Sequence, residues 1–450
     1  MTPLRPAITP SRAPGAVRPE AAVAVPAATR FELALPTPCR HPAPCGLPCE
    51  LKLGPERHAV LELGGLARLA IMAVPGGRGS FREQAGELFA QVRCIVGRQN
   101  VALTPTTLMV FLREDADEAA CREIVRETFG DASPVATFVR QPPCCGAALG
   151  LELWAVGGPR VQVQRPGPGV LTVESDGIRW VHCGGVRGDA TARGPYQESC
   201  SAFARLREQL ALAGVGLDQV VRTWLYVNQI TEGADGVQRY QELNRARTDC
   251  YREIQFGHRH RAPWAPSPIY PASTGIGTSG ERIDMACLAL DTQRSDVFLL
   301  PLENPQQTPA CRYESAYSPQ SPKFSRAMAV VQGHFVSTLV SGTASIVDSR
   351  TVHPGDVVRQ TEQTLDNIEH LMAPANFERL GLAGAGATLR DVAKLRVYVK
   401  RSEDYEACRE VVERRLPRVP AIYLVADVCR PDLLVEIEAV AFSRFTPPGS

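Results

Sequence analysis

One pattern of elements recurs three times along the 450 residues, and this internal repetition limits the possible folds more than any other feature. The pattern reads hairpin, helix, strand, helix, strand. In the first occurrence Ala85, Leu88, Val92 and Ile95 follow helical spacing and Gly97 ends the run. Phe203, Leu206 and Leu210 do so in the second, with Gly214 behind them, and Val358, Thr361, Leu365, Ile368 and Met372 in the third. Each set lays a mostly apolar stripe on one helix face. A strand follows: Val110-Phe111-Leu112, Leu225-Tyr226-Val227 and Val397-Tyr398-Val399. The next helix is marked by Cys121, Ile124 and Val125, then Tyr240 and Leu243, then Tyr405, Cys408 and Val412. Apolar strands at 150–156, 285–290 and 435–441 close the units. Helices on one face of a mixed sheet make an α+β architecture. The expected boundaries are a Pro/Ala-rich disordered tail over 1–50, units over 51–158, 159–300 and 328–445, and a proline-rich loop over 301–327. The first unit also carries Cys145 and Glu152, spaced like Cys429 and Glu436 in the third, whereas Ala286 takes the glutamate's place in the second.

Hydrophobic residues make up 44% of the chain, enough to fill cores in all three units. The formal net charge of +1 gives no global field for nucleic acid or an anionic membrane, so an anionic substrate needs locally placed arginines. No run of about 20 apolar residues predicts a transmembrane helix. The first 30 residues hold no apolar h-region of a secretory signal. The 14 cysteines are too sparse and too irregular for a disulfide framework, which predicts reduced thiols and a cytoplasmic location. Cys39, His41, Cys45 and Cys49 are ligand types for zinc, but their spacing matches no common zinc pattern and prolines interrupt it, so no metal site is expected. No Gly-rich phosphate loop or Ser/His/Asp order stands out, and no cofactor is expected.

The repeated unit resembles the Rid (YjgF-like) superfamily, whose small, chorismate-mutase-like α+β domains assemble as trimers with clefts between domains. The resemblance implies three tandem Rid-like units, each a mixed sheet with helices on one face. Imine-hydrolysing members carry an arginine two residues after a proline on a late strand. The matching stretch here, Pro420-Ala421-Ile422, lacks it, which argues against imine hydrolysis. Further stretches are similar to the chorismatase family. These are 271–277 (PASTGIG), Glu303-Asn304-Pro305, the loop 317–327 (YSPQSPKFSRA), 350–357 (RTVHPGDV), Leu365-Asp366-Asn367 and 430–438 (RPDLLVEIE). They cover about 177–441, and the first 150 residues depart from the family.

This resemblance implies a cofactor-independent enzyme of secondary metabolism acting on chorismate. Chorismate carries two carboxylates, an enolpyruvyl ether and a cyclohexadiene ring. Expelling pyruvate requires protonation of the enol-ether methylene carbon by a positioned carboxylic acid. The family's acid matches Glu436, whose apolar neighbours Leu434, Val435 and Ile437 imply burial and a raised pKa. Strand alternation puts Glu438 on the same face; without the resemblance the two read as a solvated pair. Gly342 and Cys429 match two positions that separate a 3-hydroxybenzoate-forming branch, with Gly and Cys, from a branch with Ala at both that hydrolyses chorismate to a dihydroxycyclohexadiene carboxylate. The glycine opens room at the ring, and the thiol can serve as a weak donor or a transient nucleophile. Arg326, Arg396 and Arg350 are the candidates for the substrate carboxylates, and Tyr317 for a ring hydroxyl. The competing readings are a Rid-type imine hydrolase and a ligand-binding protein without turnover. Three Rid-like units in one chain allow either a monomeric pseudo-trimer or a homotrimer joined through like copies.

Overall fold

The computed structural model describes residues 49–445 apart from 55–56, 64, 235, 263–264, 266–267 and 315–318. The expected tail, Cys39, His41, Cys45 and the candidate Tyr317 lie outside the described residues, and of Cys49 only the backbone is described.

The three copies have one topology. The first comprises β1 (Cys49–Gly54), β2 (His58–Leu63), β3 (Leu66–Ala73), α1 (Phe81–Gly97), β4 (Thr104–Leu112), α2 (Glu118–Phe129), β5 (Val135–Arg140) and β6 (Leu149–Gly157). The second comprises β7 (Gln162–Gly167), β8 (Val170–Ser175), β9 (Ile178–Arg187), α3 (Pro195–Leu212), β10 (Val220–Asn228), the short hairpin β11 (Gly233–Ala234) and β12 (Val237–Gln238), α4 (Arg239–Tyr251), β13 (Ala272–Thr278) and β14 (Asp284–Thr292). The third comprises β15 (Val297–Leu302), β16 (Ala327–Gln332), β17 (Phe335–Ala344), the short hairpin β18 (Ile346–Val347) and β19 (Arg350–Thr351), α5 (Val357–Met372), α6 (Pro374–Arg379), β20 (Val392–Val399), α7 (Tyr405–Arg415), β21 (Ala421–Val425) and β22 (Val435–Arg444). The six-stranded sheets run β1-β2-β3-β6-β4-β5, β7-β8-β9-β14-β10-β13 and β15-β16-β17-β22-β20-β21. In each, only the last pair is parallel.

The helical stripes are buried as expected, except that Val358 is 43% exposed and Val357 takes its place against the sheet. The Ser80 side chain caps α1 reciprocally with Glu83, and Asp356 caps α5. The expected boundary at 300 falls inside β15. This strand pairs with β16 from Val297 to Leu302, so the third sheet begins at Val297 and the proline-rich segment is a loop between its first two strands. Pro301 sits in β15 because that strand is at the sheet edge, where a missing N–H is tolerated.

The copies close on one another within the chain. The fifth strand of each packs on the third strand of the next: β5 on β9, β13 on β17 and β21 on β3. One apolar core runs through the second and third copies and takes in Met72, Met109 and Phe111 of the first, while the first copy's helix layer has its own core around Leu88, Phe89 and Val110.

Five buried charged residues from all three copies meet where the sheets converge. Lys394 Nζ lies 2.6 Å from Glu152, Arg396 Nε also binds Glu152, and Arg396 Nη1 reaches Glu438 at 3.3 Å. Arg222 Nη2 lies 2.9 Å from Glu438, and Trp224 Nε1 donates to Glu438 at 3.0 Å. Arg396 is therefore held in this cluster and takes no place at a substrate cleft.

Candidate functional site

The sheet registers define equivalent positions. Tyr398 lies opposite Glu436, Tyr226 opposite Asp284 and Phe111 opposite Gly150. Two residues further on, Arg396 faces Glu438, Trp224 faces Ala286 and Met109 faces Glu152. Glu152 is thus the counterpart of Glu438, and its equal spacing from a cysteine does not make it a second acid. The three counterparts of the acid have diverged. Gly150 leaves no room: a Cβ there meets the Ile422 side chain at 2.9 Å. Asp284 is tied to Arg187 at 2.8 Å, and Arg187 also holds Glu118 at 2.6 Å. Glu436 alone of the three keeps a carboxyl without an ion pair or hydrogen bond among the described residues.

Glu436 is 4% exposed and borders a cleft of about 660 Å³ between the second and third copies. Burial, reinforced by neighbouring Glu438, raises its carboxyl to about 8 against the opposing pull of Arg222 and Arg326. Burial also acts on Glu438, but the charges of Arg396, Arg222 and Lys394 outweigh it and hold that carboxyl below its ordinary value. One strand face therefore carries a protonated acid beside an ionised, locked carboxylate.

The cleft also takes in Cys429, Gly342, Arg326 and Arg350 from the sequence-predicted set. A Cβ on Gly342 would lie 2.0 Å from Glu436 Oε1, so the space a methyl group would fill is occupied by the acid itself. The Gly342 N–H donates to Thr274 Oγ1 at 3.0 Å, and Thr274 in turn donates to Glu438, which ties the glycine to the ionised carboxylate. Burial, and Glu436 after it, push the Cys429 thiol up to about 12. A neutral thiol favours the donor role over the nucleophilic one.

Arg326 ends the long loop and is 3% exposed. Its position is stitched from both sides: Ser325 Oγ donates to the Tyr270 carbonyl at 2.9 Å, and the Ser341 N–H donates to the Arg326 carbonyl at 2.9 Å. Its guanidinium donates to the Thr308 carbonyl and to Tyr313, while its buried Nε has no partner. Arg350, on β19, is exposed at the cleft.

A second guanidinium went unread in the sequence. Arg247 on α4 is 1% exposed, binds Asn244 and the Ser273 hydroxyl, and also keeps a buried Nε without a partner. The signal was present: Tyr240, Leu243 and Arg247 share one helical face, which puts a charge on the buried stripe. Gly275 gives Tyr240 room, since a Cβ there would meet its ring at 2.9 Å.

Ser273, Gly275, Thr351 and 430–432 of the family-like stretches also line the cleft, whereas Asn304 and Asn367 support it from behind. Asn367 Nδ2 donates to the Ala344 and Ile346 carbonyls at 3.0 and 2.9 Å, and Asn304 Nδ2 donates to the Asn367 carbonyl at 2.9 Å. Gln360 accepts from the Leu434 N–H at 2.8 Å and donates to the Asp432 carbonyl at 2.9 Å, which fixes the turn leading into β22. No group of three or more His, Cys, Asp or Glu suited to a metal ion occurs among the described residues. No helix among them is long and apolar enough to cross a membrane.

Comparison with known proteins agrees with this geometry. Residues 152–289 match the family model described as "Chorismatase FkbO/Hyg5-like, N-terminal", and residues 318–443 match the one described as "Endoribonuclease L-PSP". The chain is 34% identical to a 3-hydroxybenzoate synthase of Streptomyces hygroscopicus over 276 residues, 59% of this chain and 77% of that protein. It is 35% identical to a chorismatase of the same organism over 284 residues, 62% of this chain and 77% of that protein. A crystal structure of a chorismatase shares the fold, with a TM-score of 0.59 at 24% identity, over 84% of this chain and 100% of that one. The identity to these relatives and the share of their length that is matched place this chain in the chorismatase family.

Proposed function

We propose that the chain converts chorismate to 3-hydroxybenzoate and pyruvate in the cleft between its second and third copies. The observation that carries this is Glu436: a buried carboxyl, raised to about 8, unpaired and at the edge of a cleft with two buried guanidiniums. The protonated carboxyl delivers its proton to the enol-ether methylene carbon, and the ring C3–O bond then breaks as pyruvate leaves. The neighbouring C4 hydroxyl oxygen closes onto C3 as it gives up its proton. The resulting epoxide opens at C4 while C3 loses its hydrogen as a proton, which leaves the aromatic ring with its hydroxyl on C3. Arg326 and Arg247 each have an unused Nε, which supports their binding the two substrate carboxylates, with Arg350 at the entrance. The Cys429 thiol donates at the ring, and Gly342 lets the acid approach. Tyr317 stays a proposed ring-hydroxyl contact on sequence grounds. The two products together contain the atoms of chorismate at the same oxidation level, so the net reaction draws on no cofactor.

The test is incubation of the purified protein with chorismate after exhaustive chelation and dialysis, with chromatography of the products. The expected result is 3-hydroxybenzoate and pyruvate in equal amounts. Pyruvate with a dihydroxycyclohexadiene carboxylate would assign the hydrolytic branch, and unconsumed chorismate would overturn the proposal. Activity restored only by an added metal would overturn its cofactor independence.

A further inference from the structure

A second cavity, of about 370 Å³, opens where strands of all three copies converge, and it shares no lining residue with the Glu436 cleft. Its walls are mostly aliphatic and aromatic, with Leu61, Leu69, Val173 and Phe442 among them. Arg68 of β3 lines this apolar space with its guanidinium 5.5 Å from the centre of the Trp180 ring. No carboxylate among the described residues pairs with Arg68. Burial, with no opposing acid, pushes its guanidinium down to about 10. The other arginines and the lysine lining the cavity are already matched: Arg160 with Asp176 at 2.7 Å, Arg294 with Asp296 at 2.5 Å and Lys394 with Glu152 at 2.6 Å.

Two donors lining the same cavity are also unused. Trp180 is 8% exposed, and its Nε1 has no hydrogen-bond partner; nor does Nε2 of Gln332. His182 beside them is held neutral, since burial, aided by Arg68, lowers it to about 3, and Thr107 binds its Nδ1 at 2.8 Å. Buried donors are rarely left unpaired, and a half-buried guanidinium without a carboxylate partner is open to an anion. A guanidinium without a carboxylate partner, and unpaired N–H groups on residues that line an apolar cavity, are complementary to one compact anion on a hydrocarbon body.

We propose that this cavity is a second ligand site that takes a monocarboxylate on an apolar body, its carboxylate on Arg68 and Trp180 Nε1 and its hydrocarbon against Leu61, Leu69, Val173 and Phe442. A dianion finds no second arginine or lysine without a carboxylate partner among the described residues of the cavity. A neutral ligand of the same shape leaves Arg68 unmatched.

The experiment is isothermal titration of the full chain with decanoate, 3-hydroxybenzoate and decanol, with chorismate turnover measured on the same samples. The expected result is saturable binding of at least one acid at one site per chain, weaker binding of decanol, and a loss of about tenfold or more for that acid in Arg68→Met. Preference for decanoate identifies an acyl chain, and preference for 3-hydroxybenzoate an aryl acid, read as the sites lost in Arg68→Met. Chorismate turnover is expected to stay unchanged in this variant, which separates the cavity from the cleft. Trp180→Phe keeps a ring but removes the N–H, and a severalfold loss is expected there; it decides the matter where Arg68→Met does not fold. Equal binding of decanol and decanoate, unchanged acid affinity in the variants, or no acid binding at millimolar concentration overturns the proposal.

Discussion

Glu436 and Glu438 stand two residues apart on one strand face, and their surroundings drive their proton affinities in opposite directions. Glu436→Gln keeps the shape and removes the proton; a loss of turnover of at least ~100-fold is expected, with circular dichroism unchanged. In the parent, kcat should fall as pH rises through about 8, where Glu436 loses its proton. The same group makes stability depend on pH. Its folded pKa lies above the unfolded one, so stability is greatest below the unfolded value and declines as pH rises towards about 8. Urea unfolding should therefore show Glu436→Gln gaining on the parent between pH 5 and pH 8. Gly342→Ala pushes a methyl group into the acid's position, and combined with Cys429→Ala it should shift product towards the dihydroxy acid in chromatography; an active double variant with unchanged product rules out steering by these positions. The burial of Glu436 was legible because its strand neighbours are apolar. Arg396 was misplaced because alternation tells which face a side chain takes, not what another copy brings against it. Arg247 was missed for a related reason: it reaches the cleft from α4 of a different copy.

Among the elements, the helices and closing strands were legible because each carries a stripe or run long enough to show a period. The fifth strands β5, β13 and β21 are short and went unread as members of the repeat, and β15 was hidden by Pro301. The registers of β22 against β20 and of β6 against β4, which separate the position of Glu152 from that of Glu436, each include a bulge that no spacing in the sequence reveals. The α5 helix supports the site through Asn367, which holds the end of β17 and the β18 hairpin by two buried hydrogen bonds. Asn367→Ala leaves two buried carbonyls without these donors, and a loss of about 1–3 kcal/mol in unfolding free energy is expected. Its effect on turnover should be smaller than that of Glu436→Gln, because it moves the wall of the cleft and spares the acid.

At the scale of the whole molecule, each copy packs its fifth sheet strand on the next within the chain, β5 on β9, β13 on β17 and β21 on β3. Light scattering should accordingly give a mass near one chain; a mass near three chains would show like copies joining between molecules instead. The cluster of Glu152, Glu438, Arg222, Lys394 and Arg396 holds the three copies at their meeting point. Removing one partner of a buried ion pair strands the other, so Arg396→Met should cost about 3–5 kcal/mol in urea unfolding. Its folded fraction should keep the parent's KM for chorismate, since Arg396 does not border the cleft.

Tethering the copies has a genetic consequence. In a ring of identical chains every substitution is written three times, and no position can be tuned for one cleft without altering the others. Here Gly150, Asp284 and Glu436 are separate codons at one geometric address. One cleft can keep a destabilising, proton-holding acid while its counterparts are packed shut by Ile422 or neutralised by Arg187. The molecule bears the cost of a buried, unpaired carboxyl once instead of three times, and a tight inhibitor of the cleft should saturate at one equivalent per chain.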